Sequence, residues 1–262
     1  MNVILSNLLA LAGEGAFGTK AAVEPMSGFK WLTLYDIAVR QDIAPYVSAA
    51  IEAHVDDVRC NIPDETRNIF QQAAFTNVDE LMERFGLADI EEAHLAYPLK
   101  RYVLKDIVES ERHSIDTSRI SLDMLSLILQ NTNLILRYGI RLRAIISLGL
   151  FLRKKGQRVD FVRIESWLSK MKLSRMARLQ ASVLTSVFGF EKDEFPYISK
   201  LEKRAEKLTM HCLERDFAAK KYNRSYGKYT LHNCIKFYRY THSESLFKMT
   251  SNVMRSLSEI EE

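Results

Sequence analysis

The stretch "LSRMARLQASVLTSVFG" (residues 173–189) decides the fold class, because its apolar positions repeat at the period of an α-helix. These positions follow one another at intervals of three or four residues and are Leu173, Met176, Leu179, Val183 and Val187. A half-buried strand would instead alternate apolar and polar residues. Gly189 ends the pattern, as a glycine often does at the C-terminus of a helix. We therefore expect an amphipathic helix that buries one stripe in a core.

The same periodicity runs through most of the remaining chain. Examples are "ISLDMLSLILQNTNLILRYG" (120–139), "IRLRAIISLGLFLRKKG" (140–156) and "FVRIESWLSKMK" (161–172), the last with Asp160 as its predicted N-cap. The 262 residues include only ten glycines and five prolines, which favours long helices over turn-rich structure. The sequence predicts an all-α, multi-helix bundle of about 9–11 helices, two of which fill 197–220 and 229–257.

Charge divides the chain into two regions. The net charge is +4, yet residues 1–136 contain 11 Lys or Arg against 20 Asp or Glu, whereas residues 137–262 contain 26 against 13. We expect an acidic helical region over 1–115 and a basic helical region over 116–262, either as two domains or as one continuous domain. Such an asymmetry indicates two regions that face each other, or a basic face for an acidic partner.

The cysteines and the apolar segments indicate the compartment. Cys60, Cys212 and Cys234 form no C-x-x-C pair, so neither a zinc site nor a disulfide framework is expected and a reducing compartment fits best. The N-terminal stretch has no basic residue before its apolar run, and no segment reaches the roughly 18 apolar residues of a membrane span. These features predict a cytoplasmic protein without a membrane span.

The stretch "GEGAFG" (13–18) matches the G-x-G-x-x-G pattern of dinucleotide-binding sites. That pattern requires a strand before it and a long helix after it, whereas Pro25 and Gly28 interrupt any helix that follows here. We interpret the stretch as an N-terminal helix that runs into a flexible glycine loop, and we expect no nucleotide there.

The basic region supplies the candidate binding residues. Between Arg137 and Arg178 there are 12 Lys or Arg residues and only two acidic residues. The residues expected to bind an anion or a partner are Arg141, Arg143, Arg153, Lys154, Lys155 and Arg158. Farther along, basic residues alternate with Tyr222, Tyr226, Tyr229, Phe237, Tyr238 and Tyr240, a pattern typical of surfaces that stack nucleobases and contact phosphates.

Four stretches, in the same order along the chain, resemble the helical regions of uncharacterised bacterial nucleotidyltransferases. They are "FKWLTLYDIAVRQDIAPYVSAAIE" (29–52), "YGIRLRAIISLGLFLRKKGQRVDFVRIESWLSKMKLSRMARLQASVLTSVFGFEKDEFP" (138–196), "AEKLTMHCLERDFA" (205–218) and "SESLFKMTSNVMRSL" (243–257). The resemblance covers about half of the chain. It implies helices that brace an α/β catalytic core, whose G-D-I-D-L strand holds a metal ion and nucleotide phosphates.

That catalytic core has no counterpart here. Between Glu52 and Tyr138 only "LADIEEA" (87–93) places two carboxylates, those of Asp89 and Glu91, at the spacing of the family motif. We expect a helix there, and alternate residues of a helix point about 200° apart, so the two carboxylates would not share a metal ion. No catalytic residue of the family is therefore assigned to this chain.

These observations favour a non-catalytic helical binding or assembly protein, related to nucleotidyltransferases as a pseudoenzyme. Its expected partner is an acidic protein surface or a phosphate-rich ligand, and no cofactor is expected. One alternative is a module that binds nucleic acid or another polyanion through the basic, Tyr-rich half. The other alternative is a residual nucleotidyltransferase that uses Asp89, Glu91, Mg²⁺ and a nucleotide.

Overall fold

The computed structural model describes residues 2–54, 57, 60–74, 95–112, 116–219 and 226–258. These residues form twelve α-helices and contain no β-strand, so the all-α prediction is confirmed. The helices are α1 (Val3–Phe17), α2 (Gly28–Arg40), α3 (Ala44–Ala53), α4 (Asp64–Ala74), α5 (Pro98–Glu111), α6 (Asp116–Tyr138), α7 (Leu142–Lys155), α8 (Phe161–Lys170), α9 (Ser174–Phe188), α10 (Ala205–Ala219), α11 (Tyr226–Phe237) and α12 (His242–Ser258).

The described residues alone form twelve helices, against the 9–11 expected, because the segment 229–257, predicted as one helix, forms parts of two. A 3₁₀ turn over Tyr238–Tyr240 separates α11 from α12. Phe237 and Tyr240 are both buried, and a turn of three residues keeps these rings on the same side of the chain. The predicted helix over 197–220 is also shorter, since α10 begins only at Ala205.

The glycines of "GEGAFG" lie mostly inside a helix, so the expected flexible loop is wrong for Gly13 and Gly15. Helix α1 continues through both of them to Phe17. It ends at Gly18, whose φ of 70° is the left-handed conformation that glycine adopts most readily at a helix end. No strand precedes the motif, and the glycines have a packing role instead.

Gly15 allows α1 to cross α3 in direct backbone contact. A Cβ atom at position 15 would lie 1.8 Å from the carbonyl oxygen of Tyr46, a distance that no side-chain movement could relieve. The lack of a side chain at this one position therefore determines how closely the first and third helices pack.

The core is one cluster of buried apolar side chains that includes residues from Ile4 to Tyr240. Buried amides join the central helices. Asn131 of α6 donates to the carbonyl of Ala144 in α7 (3.0 Å), and Gln180 of α9 donates to the carbonyl of Ile128 in α6 (3.0 Å). Buried polar groups need such partners, so these bonds fix the arrangement of α6, α7 and α9.

Helix α12 is joined to the start of α5 by a buried ion pair. The Nζ atom of Lys100 lies 3.8 Å from the carboxylate of Glu244 and donates to the hydroxyl of Thr241 (3.3 Å). Glu244 also accepts the backbone N–H groups of Ala96 (2.6 Å) and Tyr97 (3.3 Å). Burial lowers the pKa of Lys100 to about 8, although the charge of Glu244 opposes this shift.

No helix among the described residues combines the length and the apolar character that a membrane span requires.

Replacing Gly15 with alanine is expected to lower the free energy of unfolding by about 2 kcal/mol or more, because the added methyl group meets backbone atoms. Gly156→Ala is the matched control, since a Cβ atom there lies 3.9 Å from the nearest atom of Leu152. Urea unfolding followed by circular dichroism measures both variants. Equal stability of the two variants would contradict the close contact between α1 and α3.

The lowered pKa of Lys100 makes the stability of the protein depend on pH. Between pH 8 and the ordinary lysine pKa of 10.5, the unfolded chain binds a proton at Lys100 that the folded protein has released. The free energy of unfolding should therefore rise with pH in this window, by up to about 1.4 kcal/mol per pH unit relative to Lys100→Met. Below pH 8 the cost of burying the charge is fully present.

The matched control for this pH dependence is Lys105→Met, which removes an exposed lysine from the same helix. Its unfolding free energy should stay parallel to that of the wild type between pH 8 and 10. If the Lys100→Met curve is also parallel to the wild type, the buried ion pair does not titrate as described.

Candidate functional site

The six predicted basic residues do not form a single surface. Arg141 and Arg143 lie at the N-terminus of α7, whereas Arg153, Lys154, Lys155 and Arg158 lie at its C-terminus or just beyond it. A 14-residue helix is about 20 Å long, so one small ligand does not reach both groups.

Arg141 and Arg143 make contacts within the protein. Arg141 donates to the carbonyl of Arg40 (2.7 Å). Arg143 is only 3% exposed, and its guanidinium carbon lies 5.4 Å from the centre of the Tyr46 ring. Burial raises the pKa of the Asp42 carboxyl, and the positive charges of Arg141 and Arg143 oppose this shift. Arg143 is therefore part of the packing between α3 and α7, not of an open basic face.

Arg153 also packs against other parts of the chain. Its guanidinium carbon lies 4.2 Å from the centre of the Phe190 ring and 5.0 Å from that of Phe17. It donates to the carbonyl of Phe17 (3.0 Å) and lies 3.6 Å from the carboxylate of Glu194. An Arg153→Glu variant would disrupt this packing, so it is unsuitable as a test of ligand binding.

The remaining three basic residues differ in exposure. Lys154 and Arg158 are exposed, whereas Lys155 is half-buried and lies near Phe151 and Asp123. Burial raises the pKa of Asp123, and the charge of Lys155 opposes this shift.

The Tyr-rich segment is less open than expected. Phe237 and Tyr240 are buried in the core and offer no ring face to a nucleobase. Tyr229 lies under the guanidinium of Arg215, with 4.1 Å between the carbon of that group and the ring centre. Tyr238 packs edge-on against a histidine ring and is 38% exposed. Tyr222 and the side chain of Tyr226 lie outside the described residues.

Asp89 and Glu91, the carboxylates of the enzyme alternative, also lie outside the described residues.

A polar groove lies between α8, α9 and the segment that follows α9. Its volume is about 350 Å³, at the lower end of the range for small-molecule sites. Residues three or four positions apart share one face of a helix. One face of α8 and one face of α9 therefore line the groove. The lining residues are Val162, Glu165, Ser166, Ser169, Ser174, Arg178, Tyr197, Ile198 and Ser199.

Two residues that line this groove each carry a polar atom without a hydrogen-bond partner among the described residues. These atoms are the hydroxyl of Tyr197 and the Nε atom of Arg178, and both are buried. Tyr197 is 6% exposed, and burial raises the pKa of its hydroxyl, which therefore remains protonated as a donor. Buried donors normally have partners, and a ligand that accepts hydrogen bonds would satisfy both atoms once the two side chains turn toward the groove.

The N-terminus of α9 opens at the same groove. Its N-cap is Leu173, which makes no side-chain hydrogen bond to the first turn, and Ser174 follows it at the groove. Unsatisfied N–H groups and the helix dipole make such an end favourable for an anion. The adjacent Arg175 is exposed, with its guanidinium carbon 5.8 Å from the centre of the Tyr240 ring. The lining itself holds one cationic side chain, Arg178, and one anionic side chain, Glu165.

A second cluster consists of His54, Asp57 and Cys60, whose nitrogen, oxygen and sulfur atoms all lie within 4.8 Å of one another. It is the one group of three potential metal ligands in the described part of the chain. Neighbouring histidines show no metal-ligand spacing and the cysteines form no C-x-x-C pair, so the sequence predicted no metal site. The available signal was "HVDDVRC" (54–60), which spaces a histidine, an aspartate and a cysteine three residues apart.

No protein-family model, no curated protein and no solved structure matches the chain. The relation to nucleotidyltransferases therefore stays a prediction. A proposal about function has to be based on the geometry described above.

Proposed function

We propose that the protein is a non-catalytic helical binding protein that takes a small phosphate ester in the groove between α8 and α9. Its basis is that two lining residues, Tyr197 and Arg178, each carry a buried donor without a partner among the described residues. The same lining includes Ser174, at the N-terminus of α9 that no side chain caps. This proposal narrows the expected phosphate-rich ligand to one place in the fold. It leaves the kinship with nucleotidyltransferases as a separate proposal.

The chemistry of the groove favours phosphate over an apolar ligand. A guanidinium group and helix N–H groups both donate to phosphate oxygens, and bonds to a charged acceptor are roughly twice as strong as neutral ones. The hydroxyls of Ser166, Ser169 and Ser199 add donors along the walls.

Glu165 distinguishes among anionic ligands. A carboxylate in the lining repels a ligand that is negative throughout but accepts hydrogen bonds from hydroxyl groups. The groove therefore fits a phosphate monoester whose other end carries hydroxyls, with the phosphate at the start of α9 and the hydroxyls toward α8.

Calorimetric titration with ribose 5-phosphate, with ribose as the uncharged probe, tests this function. We expect the wild-type protein to bind the phosphate ester and not the sugar. Arg178→Gln should weaken binding by about 10- to 100-fold, because a hydrogen bond to a charged group contributes about this much to affinity. Tyr197→Phe should weaken it less, because the change removes a hydroxyl and keeps the ring.

Arg158→Gln is the matched control, since it removes an exposed arginine that does not line the groove. It should bind ribose 5-phosphate as the wild type does. Binding that survives Arg178→Gln unchanged, or falls equally with Arg158→Gln, would show that net charge and not the groove attracts the ligand. An absence of binding by the wild type would contradict the proposal outright.

A further inference from the structure

Backbone hydrogen bonds connect His54, at the end of α3, with Asp57 and Asp57 with Cys60. The backbone N–H of Asp57 donates to the carbonyl of His54 (3.1 Å), and the N–H of Cys60 donates to the carbonyl of Asp57 (3.0 Å). Bonds to the third preceding residue are those of a 3₁₀ turn, in which side chains three apart are aligned. The spacing of "HVDDVRC" thus brings an imidazole, a carboxylate and a thiol together.

The imidazole of His54 is held by a carboxylate from a distant part of the chain. Its Nε2 atom lies 2.6 Å from the carboxylate of Glu14 in α1. Its Nδ1 atom lies on the side of Cys60, 3.9 Å from the sulfur. A carboxylate bound to one ring nitrogen sets the ring orientation and leaves the other nitrogen as a lone-pair donor, which is the usual arrangement of metal-binding histidines.

The distance between nitrogen and sulfur suits a shared metal ion. With zinc–nitrogen and zinc–sulfur bonds of about 2.0 and 2.3 Å, two ligands of a tetrahedral ion lie about 3.5 Å apart. The observed 3.9 Å requires only a small approach of the two side chains.

We infer that His54, Asp57 and Cys60 bind a divalent transition-metal ion of the zinc class, with Glu14 as the residue that orients the imidazole. Thiolate and imidazole ligands select zinc and its first-row neighbours over calcium or magnesium, which prefer oxygen ligands. Binding converts the thiol of Cys60 to a thiolate, and the released proton passes to the solvent.

The site has consequences for the fold as well as for chemistry. Three protein ligands leave one position of a tetrahedral ion for water or a further ligand, and His54 and Asp57 are both partly exposed. The metal would also join the end of α3 to the segment before α4, while Glu14 links His54 to α1. The proposal does not depend on the groove between α8 and α9, because the two sites share no residue.

The test uses the full, untagged chain, stripped of metal with a chelator. We expect titration with Co²⁺ to give one equivalent of binding, a near-ultraviolet thiolate-to-cobalt band and the visible absorption of a tetrahedral ion. Zinc should displace the cobalt and raise the melting temperature of the protein. Cys60→Ser should remove the thiolate band, and Asp57→Asn should lower the affinity while the band remains.

Glu14→Gln tests the orienting role. It should lower zinc affinity by about 10- to 100-fold, as other such carboxylates do, and leave the cobalt–thiolate band in place. A residue with a merely structural role would lower the melting temperature without changing metal affinity. The matched control is Cys234→Ser, which alters an equally buried cysteine outside the cluster and should leave metal binding unchanged.

Two results would overturn the inference: a wild-type protein that gives no thiolate band with cobalt, or a Cys60→Ser variant that keeps it. If Cys60→Ser does not fold, the cobalt spectrum of the wild type and the metal affinity of Asp57→Asn test the inference instead. Affinity that is the same in Asp57→Asn and the wild type would exclude the carboxylate as a ligand.

Discussion

The backbone contact between α1 and α3 is the constraint on which the N-terminal half of the structure depends. The two helices touch where Gly15 meets the carbonyl of Tyr46, and any side chain at position 15 would separate them. The preceding residue, Glu14, then reaches the imidazole at the end of α3. A glycine that the sequence presents as part of a nucleotide motif is instead the residue that brings a helix carboxylate to His54.

Local sequence patterns predicted most of the helices well, because the spacing of apolar residues and the residues that cap a helix are features of short stretches of sequence. Asp160 is the N-cap of α8 as expected, with its carboxylate accepting the N–H of Arg163 (3.1 Å). Gly189 ends α9 with a φ of 69°. The single helix predicted over 229–257 failed for a tertiary reason, since the turn at Tyr238–Tyr240 buries Tyr240 in a core that no local pattern reveals.

The sites were much less predictable than the elements. Tyr197, Ile198 and Ser199 were predicted as the start of a helix, whereas that helix begins at Ala205 and these three residues line the groove beside α8 and α9. Glu14 and His54 are 40 residues apart in sequence. The basic residues were misleading for a different reason. An arginine also stacks on aromatic rings. Arg143 is buried against Tyr46, and Arg153, although exposed, packs its guanidinium against Phe17 and Phe190.

Contacts between helices build both of the proposed binding sites. A crystal structure grown with zinc, with anomalous data collected on both sides of the zinc edge, tests this most directly. We expect one anomalous peak within bonding distance of His54 Nδ1 and Cys60 Sγ, with Glu14 bound to His54 Nε2. A structure in which Glu14 and His54 are apart, or in which zinc occupies other residues, would contradict it.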